Sequence, residues 1–340
     1  MYFAIGGRRV QSGLYRVTYT GSVSTDPIDL TPKTTPQRDL RLSLSAFHGK
    51  QDPRAVATVW PYLNHSDRFI RAAARTALEH QPLGEWQDKA LAEPDATRQL
   101  EALLALTRIT GVCPTHREEE ATVNTEMRDL LLSTMLKHDF AKLTKEQRLA
   151  YVRILQIVLN RFGNPDEATI TAIISQLDPS FPADSFELNW LLCETLAYLQ
   201  APATAAKGMA LIAAAESQEP QIEYARSLRH LKVGWTKELR TQQLEWFLKA
   251  ANYNGGASFS KFIEFIRNDS LATFTDAEES DLAALIERKP VSSSTSTNSC
   301  VHSTGFAAHQ NGDVAAADEL TTDQAHFGSL GHGISCLDGG

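Results

Sequence analysis

The sequence predicts an all-α fold, an α-solenoid of about a dozen short helices between residues 38 and 290. Three observations carry this prediction. Apolar residues recur in that region at helical spacing, the helices that they mark are short and similar in length, and the connectors between them are short and polar. Because short connectors force sequential helices to pack antiparallel, we expect a stack in which each helix lies against its neighbours.

The clearest helix spans residues 66–80. Ser66 is the expected N-cap, and Asp67 is expected to pair with Arg71 at the i, i+4 spacing. Pro82 follows the last periodic residue and is expected to end the helix. The apolar positions form one stripe along the helix and are Phe69, Ile70, Ala73, Ala74, Ala77 and Leu78.

The same kind of pattern continues along the chain. Residues 149–159 are apolar on most sides, so we expect this helix to be buried on two faces. Other helices are predicted to begin or lie at Asp52, Asp95, Asn164, residues 190–199, residues 202–215, Glu219, Leu244, residues 259–266 and residues 275–287.

Residues 1–21 have a β pattern. Tyr15, Val17 and Tyr19 alternate with polar residues, which predicts a half-buried strand, and a short apolar run from Tyr2 to Ile5 precedes it. Two strands are not stable alone in water. Either they pair with each other and pack on the helices, or their natural partners are missing. Residues 22–37, which are rich in Pro, Ser and Thr, are the predicted linker.

Residues 291–340 differ in composition from the rest of the chain. They contain none of the 33 Lys and Arg residues and show no apolar periodicity. We therefore expect a disordered tail. We hypothesise that this tail comes from a shifted reading frame. The hypothesis fails if neither of the other two frames, translated beyond Pro290, yields a helical continuation and a CxxCH motif.

Residues 67–78 resemble the second helix of a HEAT-type repeat, with an Asp, an aliphatic-Arg pair, alanines and a Leu in order. Residues 2–8 and 11–17 resemble the last strands of the β-propeller in large planctomycete-type proteins described as membrane-bound dehydrogenases with a haem-binding CxxCH domain. Residues 221–236, with Trp246-Phe247 and residues 255–259, resemble the later part of the helical region in the same family.

The resemblance implies a non-catalytic, HEAT-like scaffold segment that connects a dehydrogenase-like propeller to a cytochrome c domain. Haem c is expected only in the full-length parent family, because this chain lacks Cys-x-x-Cys-His. Cys113 and His116 match only part of that motif. No catalytic, cofactor-binding or metal-binding residue carries over, and we expect no enzymatic activity. The alternative is a free-standing HEAT-type protein-interaction module.

Composition argues against other classes. The formal net charge of −8 and the lack of a basic run disfavour nucleic-acid binding. No apolar run approaches the length of a membrane span, so no direct membrane insertion is expected. The start places its apolar residues before Arg8-Arg9, which is the reverse of a signal peptide. The chain as written is expected to be cytoplasmic, whereas the parent family is expected to be exported, periplasmic or membrane-associated.

Several residues could suggest a site, and each has a simpler interpretation. Glu118-Glu119-Glu120 fits a solvated loop or the start of a helix. Cys193 lies in an apolar helix and fits a small buried side chain. Trp235 and Trp246 could anchor a partner, but packing between helices is favoured. Four tail histidines lack companion ligands at metal-binding spacing, and these are His302, His309, His326 and His332.

Overall fold

The computed structural model describes residues 1–290 apart from residues 8–9, 28, 32, 117–121 and 257. Fourteen α-helices and one two-stranded sheet lie in these described residues. The predicted all-α fold is confirmed. The predicted disorder of residues 291–340 concerns a segment outside the described residues.

The helices follow one another from residue 36 to residue 286. The first seven are α1 Pro36–Ser45, α2 Ala55–Val59, α3 Arg68–Glu79, α4 Gln87–Ala92, α5 Ala96–Thr110, α6 Thr125–Met135 and α7 Lys145–Phe162. The other seven are α8 Glu167–Leu177, α9 Phe186–Tyr198, α10 Thr204–Ala214, α11 Gln218–Leu228, α12 Lys237–Ala250, α13 Phe259–Leu271 and α14 Asp276–Ile286.

The helices pack in two layers. The odd-numbered helices α1, α3, α5, α7, α9, α11 and α13 each pack on the next odd-numbered helix, and we call this layer the odd row. The helices α4, α6, α8, α10 and α12 each pack on the odd-numbered helix that follows them. Contacts between helices that are close in sequence therefore build one continuous apolar core.

Helix α3 begins one residue later than predicted. The Asp67 carboxylate accepts a hydrogen bond from the Phe69 N–H at 2.7 Å, so Asp67 is the N-cap and the prediction for Ser66 is wrong. The predicted Asp67–Arg71 pair is also wrong, because Asp67 is occupied by capping and the Arg71 Nε instead donates to Glu101 of α5 at 3.2 Å. Of the predicted apolar stripe, Phe69 is exposed and the other five residues are buried.

Helix α7 has the predicted burial on two faces. Thr144 and Gln147 form a capping box at its start, and Gly163 follows its last residue. The buried positions surround most of the helix and are Tyr151, Val152, Ile154, Leu155, Gln156, Val158, Leu159 and Phe162. This helix lies between α5 and α9 in the odd row, which explains why it is apolar on both sides.

The helical region begins with α1 at Pro36, two residues before the predicted boundary. Thr35 accepts from the Arg38 N–H at 3.2 Å and caps the helix. Proline suits this first position because its missing N–H would have no helical partner. Helices α1, α4 and α6 were not among the predicted elements.

The N-terminal strands pair with each other. Strand β1, Tyr2–Gly7, is antiparallel to β2, Val10–Arg16, and the rings of Phe3 and Tyr15 stack with centroids 5.3 Å apart. The predicted half-buried face is not observed, because Tyr15, Val17 and Tyr19 are 48%, 50% and 54% exposed. A two-stranded sheet buries a face only when another element covers it.

The described helices are all too short or too polar to cross a lipid bilayer.

Candidate functional site

The sequence assigned no catalytic, cofactor-binding or metal-binding residue. Within the described ranges, no group of three His, Cys, Asp or Glu side chains is placed to hold a metal ion. The tail histidines His302, His309, His326 and His332, and the acidic run Glu118-Glu119-Glu120, lie outside the described residues.

The partial haem motif forms a turn. Residues Pro114–His116 make one turn of 3₁₀-helix, and the His116 N–H donates to the Cys113 carbonyl oxygen at 2.9 Å. The Cys113 side chain is buried and His116 is exposed. The two side chains therefore lie in different environments, which fits a loop better than a joint ligand site.

A cleft of about 410 Å³ lies across the N-terminal parts of α3, α5 and α7. Its floor is apolar and consists of Leu100, Leu104, Ala150 and Ile154. Its rim is polar and consists of Asn64, His65, Ser66, Arg71, Thr97, Glu101, Thr144, Glu146, Gln147 and Arg153. The apolar floor could bury an apolar side chain of a ligand, and the polar groups of the rim could orient that ligand.

The charges on this rim differ in how they are neutralised. Arg71 and Glu101 form an ion pair at 3.2 Å, and Arg75 joins the same carboxylate at 2.8 Å. Glu146 and Arg153, both on α7 and both exposed, form no ion pair with any described residue. The Arg153 guanidinium donates one hydrogen bond to the Gln156 side chain at 3.0 Å. The cleft therefore presents one available carboxylate and one available guanidinium.

A second feature is a series of polar bonds between successive helices of the odd row. Between α3 and α5, Arg71 and Arg75 both bind Glu101. Between α5 and α7, the Gln147 Nε2 donates to the Thr97 hydroxyl at 2.9 Å. These bonds fix the relative position of three consecutive helices along their axes.

The series continues toward the C-terminal helices. The Gln156 Nε2 of α7 donates to the Glu194 carboxylate of α9 at 3.1 Å, and Glu194 lies 3.6 Å from Arg226 of α11. Arg229, just after α11, pairs with Asp269 of α13 at 3.1 Å. We call this set the inter-helix ladder: Arg71, Arg75, Thr97, Glu101, Gln147, Gln156, Glu194, Arg226, Arg229 and Asp269.

Among the residues that the structure describes, the most deeply buried charge is Arg240 of α12, whose side chain is 0% exposed. Its guanidinium lies between two aromatic rings, 4.2 Å from the Trp235 centroid and 4.0 Å from the Phe274 centroid. It donates hydrogen bonds to three acceptors at 3.1 Å each, namely Glu278 Oε1, Gln243 Oε1 and the Thr273 carbonyl oxygen. Arg240 therefore joins α12 to α14. It also contacts the segment before α12, through Trp235, and the segment before α14, through Thr273 and Phe274.

The Glu278 carboxylate that faces Arg240 is held in its ionised form. Partial burial opposes ionisation, but the hydrogen bonds from the Thr275 backbone and from Arg240 outweigh it, and the pKa of Glu278 lies below its ordinary value. The Thr275 N–H donates to this carboxylate at 2.8 Å, which completes a capping box at the start of α14. Glu278 therefore has a structural role, as the partner of Arg240 and as part of the cap of α14.

Both tryptophans considered as partner anchors serve packing. The Trp246 ring is buried, and its Nε1 donates to the Gln221 side chain at 3.0 Å. Trp235 is partly buried, donates to the Leu231 carbonyl oxygen at 2.8 Å and covers Arg240. The packing interpretation is therefore confirmed for both side chains.

The segment Gly234-Trp235-Thr236 combines three structural roles. Gly234 has a φ of 77°, and a Cβ there would lie 1.8 Å from the Pro202 carbonyl oxygen, so only glycine fits. Trp235 covers Arg240, and the Thr236 hydroxyl accepts from the Leu239 N–H at 3.3 Å to cap α12.

Cys193 and His138 are among the side chains whose pKa is shifted alone or mainly by burial. Burial raises the pKa of the Cys193 thiol to about 12, so this free cysteine is un-ionised at neutral pH and a poor nucleophile. Burial lowers the pKa of His138, whose Nε2 has no hydrogen-bond partner and whose ring meets Tyr151 edge-on. A hydrogen bond with Ser227 favours the Cys193 thiolate, but burial outweighs it.

The sequence analysis did not identify the cleft. A signal was present, because Glu146 and Arg153 are seven residues apart on a helix that is otherwise apolar on most sides. A spacing of seven places both on the same face. The floor could not be found this way, since it is assembled from α5 and α7, whose contact is not encoded locally.

Comparisons of the chain with protein families, with curated proteins and with solved structures found no match.

Proposed function

We propose that residues 36–286 act as a non-catalytic helical scaffold that holds the groups attached at its two ends at a fixed separation. In the protein type that the sequence resembles, those groups would be a dehydrogenase-like β-propeller before the stack and a cytochrome c domain after it. Haem would be bound by the second of these domains, and the assembly would work outside the cytoplasm.

The inter-helix ladder is the observation that supports this proposal most directly. It provides a side-chain bond between every two neighbouring helices of the odd row from α3 to α13. Apolar packing alone allows neighbouring helices to slide by small amounts, whereas directional bonds specify one position. A stack tied in this way suits a role as a spacer.

The hairpin also supports the propeller side of the proposal. Phe3, Ile5 and Tyr15 lie on one face, and Tyr2 and Leu14 lie on the other, and all five are exposed. Strands that are apolar on both faces are typical of sheets covered on both sides. A propeller blade, which packs between two other blades, is such a sheet.

Pulsed electron paramagnetic resonance tests the scaffold. Spin labels would be attached through non-natural amino acids at exposed positions 41 on α1 and 284 on α14. We expect one narrow distance distribution, and the double variant Glu101→Gln, Glu194→Gln should broaden it because two steps of the ladder lose their charge. A broad or multimodal distribution in the unaltered chain would contradict the scaffold proposal.

The cleft across α3, α5 and α7 favours a second candidate function, a protein-interaction module. Its apolar floor and its available charges on Glu146 and Arg153 could receive a segment of another protein. A pull-down tests this function. Saturable binding of a partner that is lost on substitution of exposed residues of the stack would support it, and binding that resists every such substitution would count against it.

A further inference from the structure

We propose that the cleft across α3, α5 and α7 binds a short extended peptide with a basic residue, an aliphatic residue and an acidic residue at its first, third and fifth positions. This inference deepens the second candidate function and rests on it. It follows from the shape of the floor and from the two charges that the chain leaves available.

The floor fixes the middle of the ligand. Leu100 and Ile154 are buried beneath it, and Leu104 and Ala150 are partly exposed above them. Ala150 is the small residue in this set, so the wall contributed by α7 is lowest at that point. An aliphatic side chain of the ligand would fill this space and remove its own surface and that of the floor from water.

The available charges fix the ends of the ligand. Arg71 and Glu101 are already paired on the rim, whereas the Glu146 carboxylate and the Arg153 guanidinium are available to a ligand. Seven residues of α-helix rise about 10 Å. Ala150 lies between these two charges on α7, so the apolar floor separates the acidic end of the cleft from the basic end.

An extended pentapeptide matches this spacing. Its first, third and fifth side chains point to the same side, and its first and fifth Cα atoms lie about 13 Å apart. Flexible Lys and Glu side chains can incline inward to reach charges about 10 Å apart. The polarity of the cleft then sets the direction, with the basic residue at Glu146 and the acidic residue at Arg153.

Ligand-observed NMR titration of the full chain provides the test. The probe is the peptide Lys-Ala-Leu-Ala-Glu with blocked ends, and the matched probe is Glu-Ala-Leu-Ala-Lys, which has the same composition and net charge. We expect the first peptide to bind at least about 10-fold more tightly at low salt, and this preference to decrease as the salt concentration rises.

Two variants assign the binding to the cleft. The double variant Glu146→Lys, Arg153→Glu should invert the preference between the two peptides, and it changes only exposed side chains, so the fold should survive. Ala150→Phe should fill the space above the floor and lower the affinity for both peptides at least about 10-fold. Lys237→Glu, an exposed change on α12, is the control and should alter neither affinity.

Equal affinity for the two peptides, no binding of either, or a preference that the double variant leaves unchanged would overturn the inference. These outcomes differ from a failure of the interaction function. A partner could bind in a saturable manner and lose its binding only on substitutions elsewhere on the stack. That result would support the interaction function and exclude this cleft as its site. Distances between the labels on α1 and α14 are independent of every peptide result.

Discussion

Arg240 allows the sharpest test of how the C-terminal helices are held together. Its side chain is fully buried between Trp235 and Phe274, and it bonds to three acceptors from α12, α14 and the segment between α13 and α14. Arg240→Ala removes the cation and leaves those acceptors without a donor. Arg240→Met keeps a side chain between the rings but removes the charge, and Arg240→Lys keeps the charge but loses the planar fork.

The size of the effect follows from these contacts. Removing one partner of a buried ion pair costs about 3–5 kcal/mol. Glu278 is 23% exposed and can recover some hydration, which reduces the cost, whereas Gln243 is buried and its oxygen loses a donor outright. We expect Arg240→Ala to lower the free energy of unfolding of the α12–α14 segment by about 4 kcal/mol. Met should cost less, and Lys the least.

Native-state hydrogen exchange of the α12 and α14 amide groups measures this segment locally, and far-ultraviolet circular dichroism in urea measures the whole stack. Arg54→Ala is the matched control. Arg54 also pairs with a carboxylate at 2.8 Å, but its side chain is 80% exposed, and its loss should leave exchange unchanged. Equal exchange in the two alanine variants would refute the inference that burial gives the Arg240 contacts their strength.

Three further predictions address single groups. Gly234→Ala should destabilise the chain by more than about 3 kcal/mol in urea denaturation, because the new Cβ meets the Pro202 carbonyl at φ 77°; stability within 1 kcal/mol of the unaltered chain would refute this. Glu278→Gln should lower the free energy of unfolding at neutral pH, and its difference from the unaltered chain should disappear as the pH falls below the ordinary carboxyl pKa of 4.5, since a group whose pKa is lowered by folding stabilises the fold only while it is ionised. A difference that does not depend on pH would exclude this. Cys193 should resist alkylation at pH 8 in the native state and react after denaturation, as followed by peptide mass spectrometry, and rapid native modification would contradict its burial.

The sequence predicted the helices well where one apolar stripe stood between clear end signals. Residues 66–80 contain such a stripe, and α3 lies within them. The choice of cap was missed because Ser66 and Asp67 are both good N-caps in adjacent positions. Only the position of the Phe69 N–H, which depends on how the whole helix docks, distinguishes between them.

Charged side chains were harder to place than apolar ones. Arg71 lies at the right spacing to pair with Asp67, yet its partner is Glu101, thirty positions further along the chain. Arg240 lies in a polar stretch of α12 that predicts exposure, and it is buried because α14 and two aromatic rings close over it. Contacts between distant residues decide such cases, and no local pattern records them.

The N-terminal strands also show what a local sequence pattern can and cannot predict. Their pattern predicted two strands, because period-2 patterning is local, but it left open whether β1 and β2 pair with each other, as the structure shows that they do. It also predicted a buried face, which depends on a covering element. The rings of Tyr15 and Tyr19 are exposed. The alternation therefore identifies a face that is suited to burial, but it does not tell whether another element covers that face.

The inter-helix ladder has a mechanical consequence. Each tie joins a helix only to the next member of the odd row, so tension applied between Pro36 and Ile286 is borne by the joints in series. We expect the stack to yield one helix pair at a time under a pulling force, and not in a single event. A pair such as α10 and α11 spans 25 residues from Thr204 to Leu228, and its release would lengthen the molecule by somewhat less than about 90 Å. The unloaded stack would keep its length, and under load it would extend in steps whose size depends on the number of residues in each pair.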